Sequence, residues 1–109
     1  TFDLVIVDAP CTGSGTWART PWDIVLFDPA SLEGFAARQR AIAAASAPLV
    51  RPGGFMLYIT CSAFAAENEE VASHIEAECG LRPVKSALIQ GHAMGADTMY
   101  AALFTSPAG

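Results

Sequence analysis

Two short apolar segments, each running directly into a cysteine-containing loop, constrain the fold of this chain more than any other feature. Residues 2–7 form a run rich in Val and Ile that continues through Asp8 to Cys11, and residues 55–60 form a second run that continues into Cys61. Apolar runs of this length, closed by loop residues, are typical of buried strands in a parallel sheet. The sequence therefore predicts two parallel strands with a cysteine just beyond each.

A helical pattern separates the two predicted strands. Apolar or small residues recur at the 3.6-residue spacing of an α-helix over residues 32–50, with Gln39 and the arginines beside it pointing partly outward. The Pro-Gly-Gly segment at residues 52–54 is expected to stop this helix and turn the chain into the second strand.

A second helix is expected from about residue 65 to residue 79. Glu67, Glu69 and Glu70 would lie in its first turn, where the helix dipole favours anions. Gly80 is expected to cap its end. The residues that form its inner face would be Val71, Ala72, Ile75 and Cys79.

Residues 83–89 and 98–104 predict two final strands, and the linker at residues 90–97 suits a hairpin. The resulting order of strand, helix, strand, helix, strand, strand predicts an open α/β sheet. Its first strands would be parallel, and the final hairpin would add an antiparallel strand. A chain of 109 residues supports one modest core.

The two cysteine loops are expected to meet. A right-handed crossover places the first two strands in one sheet and in the same direction, and open α/β sheets bind ligands beyond the carboxyl ends of their strands. Cys11 and Cys61 should therefore face one crevice. A structural role remains open for each, since an unpaired cysteine is often a small buried hydrophobe, as is expected of Cys79. Asp8 could likewise do no more than hold its loop.

The composition indicates that part of the surface packs against other protein. Charged residues make up 16% of the chain, against about a quarter in ordinary soluble domains. The formal net charge is −5, the wrong sign for a free-standing nucleic-acid-binding domain. An RNA substrate would have to be held mainly by protein outside this chain. An exposed apolar sheet edge is expected to drive self-association.

The cysteine count and the hydropathy of the sequence indicate the cellular compartment. Three cysteines cannot all pair within the chain. The sequence shows no signal-peptide pattern, and no stretch approaches the roughly 20 apolar residues of a membrane span. A reducing cytoplasm is the expected compartment, where a disulfide between Cys11 and Cys61 would not persist. The start inside a strand, without an initiator Met, indicates a fragment.

Two other kinds of site are disfavoured. A zinc site would need paired ligands, and His74 and His92 have no partner at a metal-ligand spacing. Residues 13–18 match the G-x-G-x-x-A pattern of dinucleotide-binding proteins. That pattern must open a helix, and Pro21 would interrupt such a helix after one turn.

Several motifs resemble the RsmB/Nop2/Sun class of RNA cytosine-5 methyltransferases. The segment DAPCTGSG at residues 8–15 is similar to motif IV of that family, and YITCS at residues 58–62 is similar to motif VI. Further similar elements are Arg19-Thr20-Pro21, Gln39 in the first helix, Pro52-Gly53-Gly54, Glu67-Asn68-Glu69 and the closing segment at residues 95–100. The resemblance covers nearly the whole chain.

The resemblance implies S-adenosylmethionine-dependent methylation of cytosine C5 in ribosomal or transfer RNA. Cys61 would be the nucleophile that adds to C6, and Cys11 would assist the release that completes the reaction. Asp8 would support the addition by hydrogen-bonding or protonating N3. Asp8 and Pro10 would lie beside the cofactor, and Arg19 would contact a phosphate or the base.

The same resemblance implies that residues 1–109 are the C-terminal half of a Rossmann-like methyltransferase domain. The family's glycine-rich S-adenosylmethionine loop and acidic ribose-binding strand lie upstream of motif IV, so the fragment alone is expected to be inactive. The alternative is a non-catalytic α/β interaction domain with structural or redox-active cysteines. A DNA cytosine-5 enzyme is disfavoured, because that class uses the motif IV cysteine as nucleophile and lacks the second Thr-Cys pair.

Overall fold

The computed structural model describes residues 1–14, 27–90 and 98–107 of the chain. In these ranges the predicted order of strands and helices is confirmed. The elements are β1 (Phe2–Asp8), α1 (Ser31–Ser46), β2 (Val50–Thr60), α2 (Glu69–Glu78), β3 (Arg82–Gln90) and β4 (Thr98–Thr105), with a 3-10 turn at Ala47–Leu49 between α1 and β2.

The four strands form one mixed sheet in the order β1-β2-β4-β3. β1 and β2 are parallel, with Val5 beside Met56, whereas β4 runs antiparallel to both β2 and β3. The expected mixed sheet with a final antiparallel hairpin is confirmed. The insertion of β4 between β2 and β3 was not predicted. Residues 91–97 of the expected linker lie outside the described residues.

The first helix ends earlier than the sequence predicts. α1 stops at Ser46, and Pro48 follows inside the 3-10 turn. Proline in a helix interior lacks the N–H group and collides with the preceding turn, which accounts for the early end. β2 begins at Val50, so the Pro-Gly-Gly segment at residues 52–54 lies within this strand and does not separate it from the helix.

The second helix begins later than predicted, at Glu69, because residues 65–68 form turns. Glu69 and Glu70 occupy its first turn as expected. Glu67 precedes the helix and is fully buried, so its predicted place in the first helical turn is wrong. At the other end, Gly80 has a φ of 71°, the left-handed conformation that commonly ends a helix.

The hydrophobic core lies between the sheet and the two helices. Along β4 every second residue is buried, as expected of a strand with one covered face. The opposite face of the sheet exposes large apolar side chains, including those of Leu4, Ile6 and Phe55. No helix in the described ranges is long and apolar enough to cross a membrane. The core residues include Val7, Ala43, Met56, Tyr58, Val71, Ile75, Ala102 and Phe104, with Ala72 and Cys79 at its margin.

Candidate active site

The ends of β1 and β2 bring the two cysteine loops together. The strands are parallel and paired as far as Asp8 and Ile59, so both loops leave the sheet at the same edge. The amide of Ala9 donates to the carbonyl of Ile59 at 3.1 Å, which extends the contact beyond β1. The Cys11 thiol lies against the backbone of Cys61. The two cysteine loops therefore meet at one edge of the sheet, as the strand topology predicted.

The three cysteines are unpaired and partly buried, but their surroundings differ. Burial raises the pKa of the Cys11 thiol, and the charges of Glu67 and Cys61 raise it further, while hydrogen bonding to the backbone of Gly13 and Cys61 lowers it in part. With this raised pKa, Cys11 keeps its proton at neutral pH. Cys79 packs at the margin of the hydrophobic core, which fits the structural role expected of it.

A buried carboxylate, that of Glu67, joins the two loops. Its Oε1 accepts hydrogen bonds from the backbone amide of Thr12 at 2.8 Å and from Nε2 of Gln39 at 3.2 Å. Its Oε2 accepts from the hydroxyl of Thr12 at 2.8 Å and from the hydroxyl of Ser62. Four donors suit the acceptor sites of an ionised carboxylate. The position of Glu67 between two loops rich in Ser and Thr was missed from the sequence.

Gln39 is fully buried, so the prediction that it points partly outward is wrong. It lies on the same helical stripe as Ala36 and Ala43, the other buried residues of α1, and that spacing was the signal in the sequence. Its Nε2 donates to the carbonyl of Pro10 at 2.8 Å as well as to Glu67. α1 thereby holds the backbone of the first cysteine loop.

The side chain of Asn68 holds the residues on either side of Cys61. The Thr60 hydroxyl donates to Oδ1 of Asn68 at 2.5 Å, and Nδ2 of Asn68 donates to the carbonyl of Ser62 at 2.7 Å. The amide of Ser62 also donates to the Thr60 hydroxyl at 3.2 Å. Buried hydrogen bonds thus fix the backbone around Cys61, while its side chain remains partly accessible.

Ser14 provides another link between the loops. Its hydroxyl lies 3.2 Å from that of Ser62 and accepts a hydrogen bond from the amide of Ala63 at 2.8 Å. The rings of Phe27 and Phe64 stack with their centroids 5.6 Å apart. The second cysteine loop is therefore joined to the first loop through Ser14 and to Phe27 through Phe64.

Asp8 and Pro10, the residues predicted to lie beside a cofactor, are exposed at the end of the outer strand β1. This exposure leaves the side chain of Asp8 accessible to a ligand. No group of three or more His, Cys, Asp or Glu in the same ranges is arranged to hold a metal ion. Arg19, His92 and residues 15–18 of the G-x-G-x-x-A pattern lie outside the described residues.

The sequence of this chain is similar to those of proteins named as methyltransferases, some of them acting on ribosomal RNA. The family described as 16S rRNA methyltransferase RsmB/F matches residues 1–104. A protein of Mycobacterium tuberculosis named as a methyltransferase is 36% identical over 117 residues, covering 93% of this chain and 26% of that protein. Ribosomal RNA small subunit methyltransferase F of Shewanella loihica is 34% identical over 79 residues, covering 72% of this chain and 16% of that protein.

Solved structures share the fold. NSun6 from Pyrococcus horikoshii, solved with SFG, gives a TM-score of 0.84 at 22% sequence identity, covering 95% of this chain and 30% of that chain. A methyltransferase homologue from the same organism gives a TM-score of 0.76 at 22% identity, covering 96% of this chain and 39% of that chain. The expected Rossmann-like methyltransferase fold is confirmed. The chain spans 26% of the length of its Mycobacterium tuberculosis relative.

Proposed function

This chain belongs to the 16S rRNA methyltransferase RsmB/F family, and from that premise we propose that it supplies the catalytic thiols of an RNA cytosine-5 methyltransferase. The observation that carries the proposal is the meeting of two cysteine loops at the carboxyl ends of β1 and β2, where the Cys11 thiol contacts the backbone of Cys61. Residues 1–109 would form part of the catalytic domain, the remainder of which lies elsewhere in the protein.

The chemistry explains why a thiol is needed. Cytosine C5 is too weak a nucleophile to accept a methyl group unaided. When the Cys61 thiolate adds to C6, the sulfur–carbon bond forms as the C5–C6 double bond opens, and its electron pair becomes available at C5. S-adenosylmethionine, when bound, supplies an electrophilic methyl group. Loss of the C5 proton then restores the double bond and expels the Cys61 thiolate.

The two thiols take different roles in this proposal. Burial, with the charges of Glu67 and Cys61, raises the pKa of Cys11, which disfavours a Cys11 thiolate, and the resemblance of the TCS segment to motif VI assigns the addition at C6 to Cys61. Cys11 would assist the departure of the C5 proton after methyl transfer.

Asp8 would hydrogen-bond or protonate N3 of the cytosine, which withdraws electrons from the ring and favours addition at C6. Its carboxylate is accessible at the end of β1, and Pro10 is exposed beside it. These two residues fit one side of a cofactor site whose larger part would come from the rest of the protein. Arg19 would contact a phosphate or the base.

The net charge of the chain and its family description bear on how the RNA is bound and on which RNA is the substrate. A net charge of −5 does not favour binding to phosphates, so the RNA contacts would come mainly from other parts of the protein. Ribosomal RNA is the favoured substrate because of the family description, and transfer RNA is the second choice. Residues 1–109 by themselves would be inactive, and the enzyme would work in the cytoplasm.

Substitution of each cysteine in the full-length protein tests the proposal. Cys61→Ala should reduce methylation to the limit of detection, because no covalent addition to C6 can occur. Cys11→Ala should accumulate a covalent protein–RNA complex, visible as a slow band on a denaturing gel, because the Cys61 adduct forms but is released slowly. The methyl group incorporated from labelled S-adenosylmethionine measures turnover.

Cys79→Ala is the matched control, since Cys79 packs at the margin of the core, away from the crevice. It should keep near-normal turnover and form no adduct. Normal turnover in Cys61→Ala would contradict the assignment of the nucleophile, whereas an absence of methylation by the unmodified full-length protein would favour the interaction-domain alternative.

A further inference from the structure

We infer that Glu67 is a positioning residue for the proposed methyl transfer: its buried carboxylate fixes the loop of Cys11 against the loop of Cys61, so that both thiols reach one cytosine. The inference rests on the proposed function, because Cys11 has a step to complete only if Cys61 forms the adduct.

The contacts of Glu67 reach three separate parts of the chain. Thr12, next to Cys11, donates to both carboxylate oxygens, through its amide and its hydroxyl, each at 2.8 Å. Ser62, next to Cys61, donates to Oε2, and Gln39 of α1 donates to Oε1. Each cysteine is therefore adjacent in sequence to a residue that binds the same carboxylate.

The two cysteine loops depend on Glu67 to different degrees. The Cys61 loop has its own support, because the Asn68 amide binds both Thr60 and Ser62. The Cys11 loop is also held by Gln39 at Pro10 and by Ser14, but Thr12, the residue next to Cys11, is fixed by Glu67 through two of the four hydrogen bonds to the carboxylate. Loosening Glu67 should therefore displace Cys11 more than Cys61. Addition at C6 would continue while the release step slows.

Two substitutions separate the effect of the negative charge of Glu67 from the effect of its side-chain length. Glu67→Asp keeps the charge but withdraws the carboxylate by one methylene, so it cannot bind both loops at once. Glu67→Gln keeps the reach: its carbonyl oxygen can face the Thr12 amide and Gln39, while its NH2 group faces the hydroxyls of Thr12 and Ser62, which can rotate to accept. A positioning role predicts that Asp is the more damaging change.

The experiment compares these variants in the full-length protein with Glu70→Gln, a neighbouring exposed glutamate, as the control. Glu67→Asp should lower kcat at least about tenfold, since a misplacement of about 1 Å can cost a hundredfold. The KM for S-adenosylmethionine should be unchanged. The diagnostic result for Glu67→Asp is a covalent RNA adduct that accumulates although Cys11 is intact. Glu67→Gln should retain more turnover than Glu67→Asp, and Glu70→Gln should behave like the unmodified enzyme.

Thr12→Val gives a second test if Glu67→Asp does not fold. It removes the hydroxyl contact and leaves the backbone amide in place, so it should accumulate the same adduct to a smaller extent. The Thr12→Val effect should also shrink in a Glu67→Gln background, because the hydrogen bond between the Thr12 hydroxyl and a neutral amide is weaker than the bond to a carboxylate.

The outcomes separate this inference from the proposed function. Adduct in Cys11→Ala together with adduct in Glu67→Asp or Thr12→Val supports both. Adduct in Cys11→Ala alone, with the other variants losing turnover only in proportion to their folded fraction, overturns the positioning role and leaves the proposed function intact. Adduct in none of them overturns both.

Discussion

At the scale of single residues, Tyr58 connects the core to the site. Its side chain is fully buried, and its hydroxyl donates to the backbone carbonyl of Glu67 at 2.7 Å. Burial raises the pKa of the phenol well above its usual value, and the nearby Glu67, Cys11 and Tyr100 raise it further. The folded protein therefore holds the Tyr58 proton at a pH where an unfolded chain has lost it.

This raised pKa predicts a loss of stability at alkaline pH. The folded-state pKa lies above the unfolded value, so the contribution of Tyr58 is complete below pH 10.0, the ordinary tyrosine pKa, and is lost as the pH rises. Tyr58→Phe should flatten the decline in the free energy of unfolding above that pH by about 1.4 kcal/mol per pH unit. At neutral pH it should cost about 1 kcal/mol for the lost hydrogen bond. Chemical denaturation at several pH values measures both effects.

Tyr100→Phe is the comparison for Tyr58→Phe. Burial also raises the pKa of Tyr100, but a hydrogen bond with Ser86 partly lowers it, so its removal should flatten the alkaline decline less. An alkaline slope in Tyr58→Phe equal to that of the unmodified protein would contradict the buried phenol as a cause.

At the scale of secondary-structure elements, the pairing of β1 with β2 requires a glycine at residue 54. A β-carbon there would lie 2.9 Å from the backbone oxygen of Asp3 and 3.0 Å from that of Arg51. Neither atom can move without shifting a strand, and this pairing sets the relative position of the two cysteine loops. Gly54→Ala should destabilise the protein by about 1–3 kcal/mol, the usual cost of overpacking. It should also reduce methylation, and the midpoint of thermal unfolding is the direct measurement.

Gly34→Ala is the matched control for Gly54→Ala. Gly34 lies in α1, and a β-carbon added to it meets no atom within 4 Å. Alanine favours the helix over glycine by about 0.5–1 kcal/mol, so this variant should be slightly more stable than the unmodified protein. Equal effects of the two substitutions would indicate that the close approach at Gly54 does not constrain the strand pair.

At the scale of the whole molecule, one face of the sheet remains apolar and uncovered by the helices described here. Ile6 is 59% exposed, and Leu4 and Phe55, paired in register on adjacent strands, are 50% and 41% exposed. An apolar surface of this kind favours association. We therefore expect this chain, when produced by itself, to self-associate through that face in sedimentation velocity experiments.

Ile6→Lys should shift the sedimentation distribution toward the monomer, because a charge in the centre of the apolar face must be desolvated on association. Leu49→Lys is the control, since Leu49 is exposed in the 3-10 turn after α1 and not in the sheet. A monomer for the unmodified chain at high concentration would rule out this association.

The sequence alone determined the order of elements and the convergence of the two cysteines. Both follow from local patterns: apolar runs of strand length, helical periodicity, and the rule that a crossover leaves consecutive parallel strands ending at one edge. It also carried the family resemblance, because the DAPC and TCS segments are contiguous in the chain. These features need no knowledge of which side chains meet across the fold.

Only the tertiary structure decided how the two loops are joined. Helical spacing offered a signal for the burial of Gln39, but the burial of Glu67 could not be derived from local pattern, because a carboxylate is buried only where distant donors satisfy it. Those donors, on Thr12 and Ser62, lie far apart in sequence and meet only when β1 pairs with β2. The late start of α2 at Glu69, which leaves Glu67 free to turn inward, depends on the same contacts.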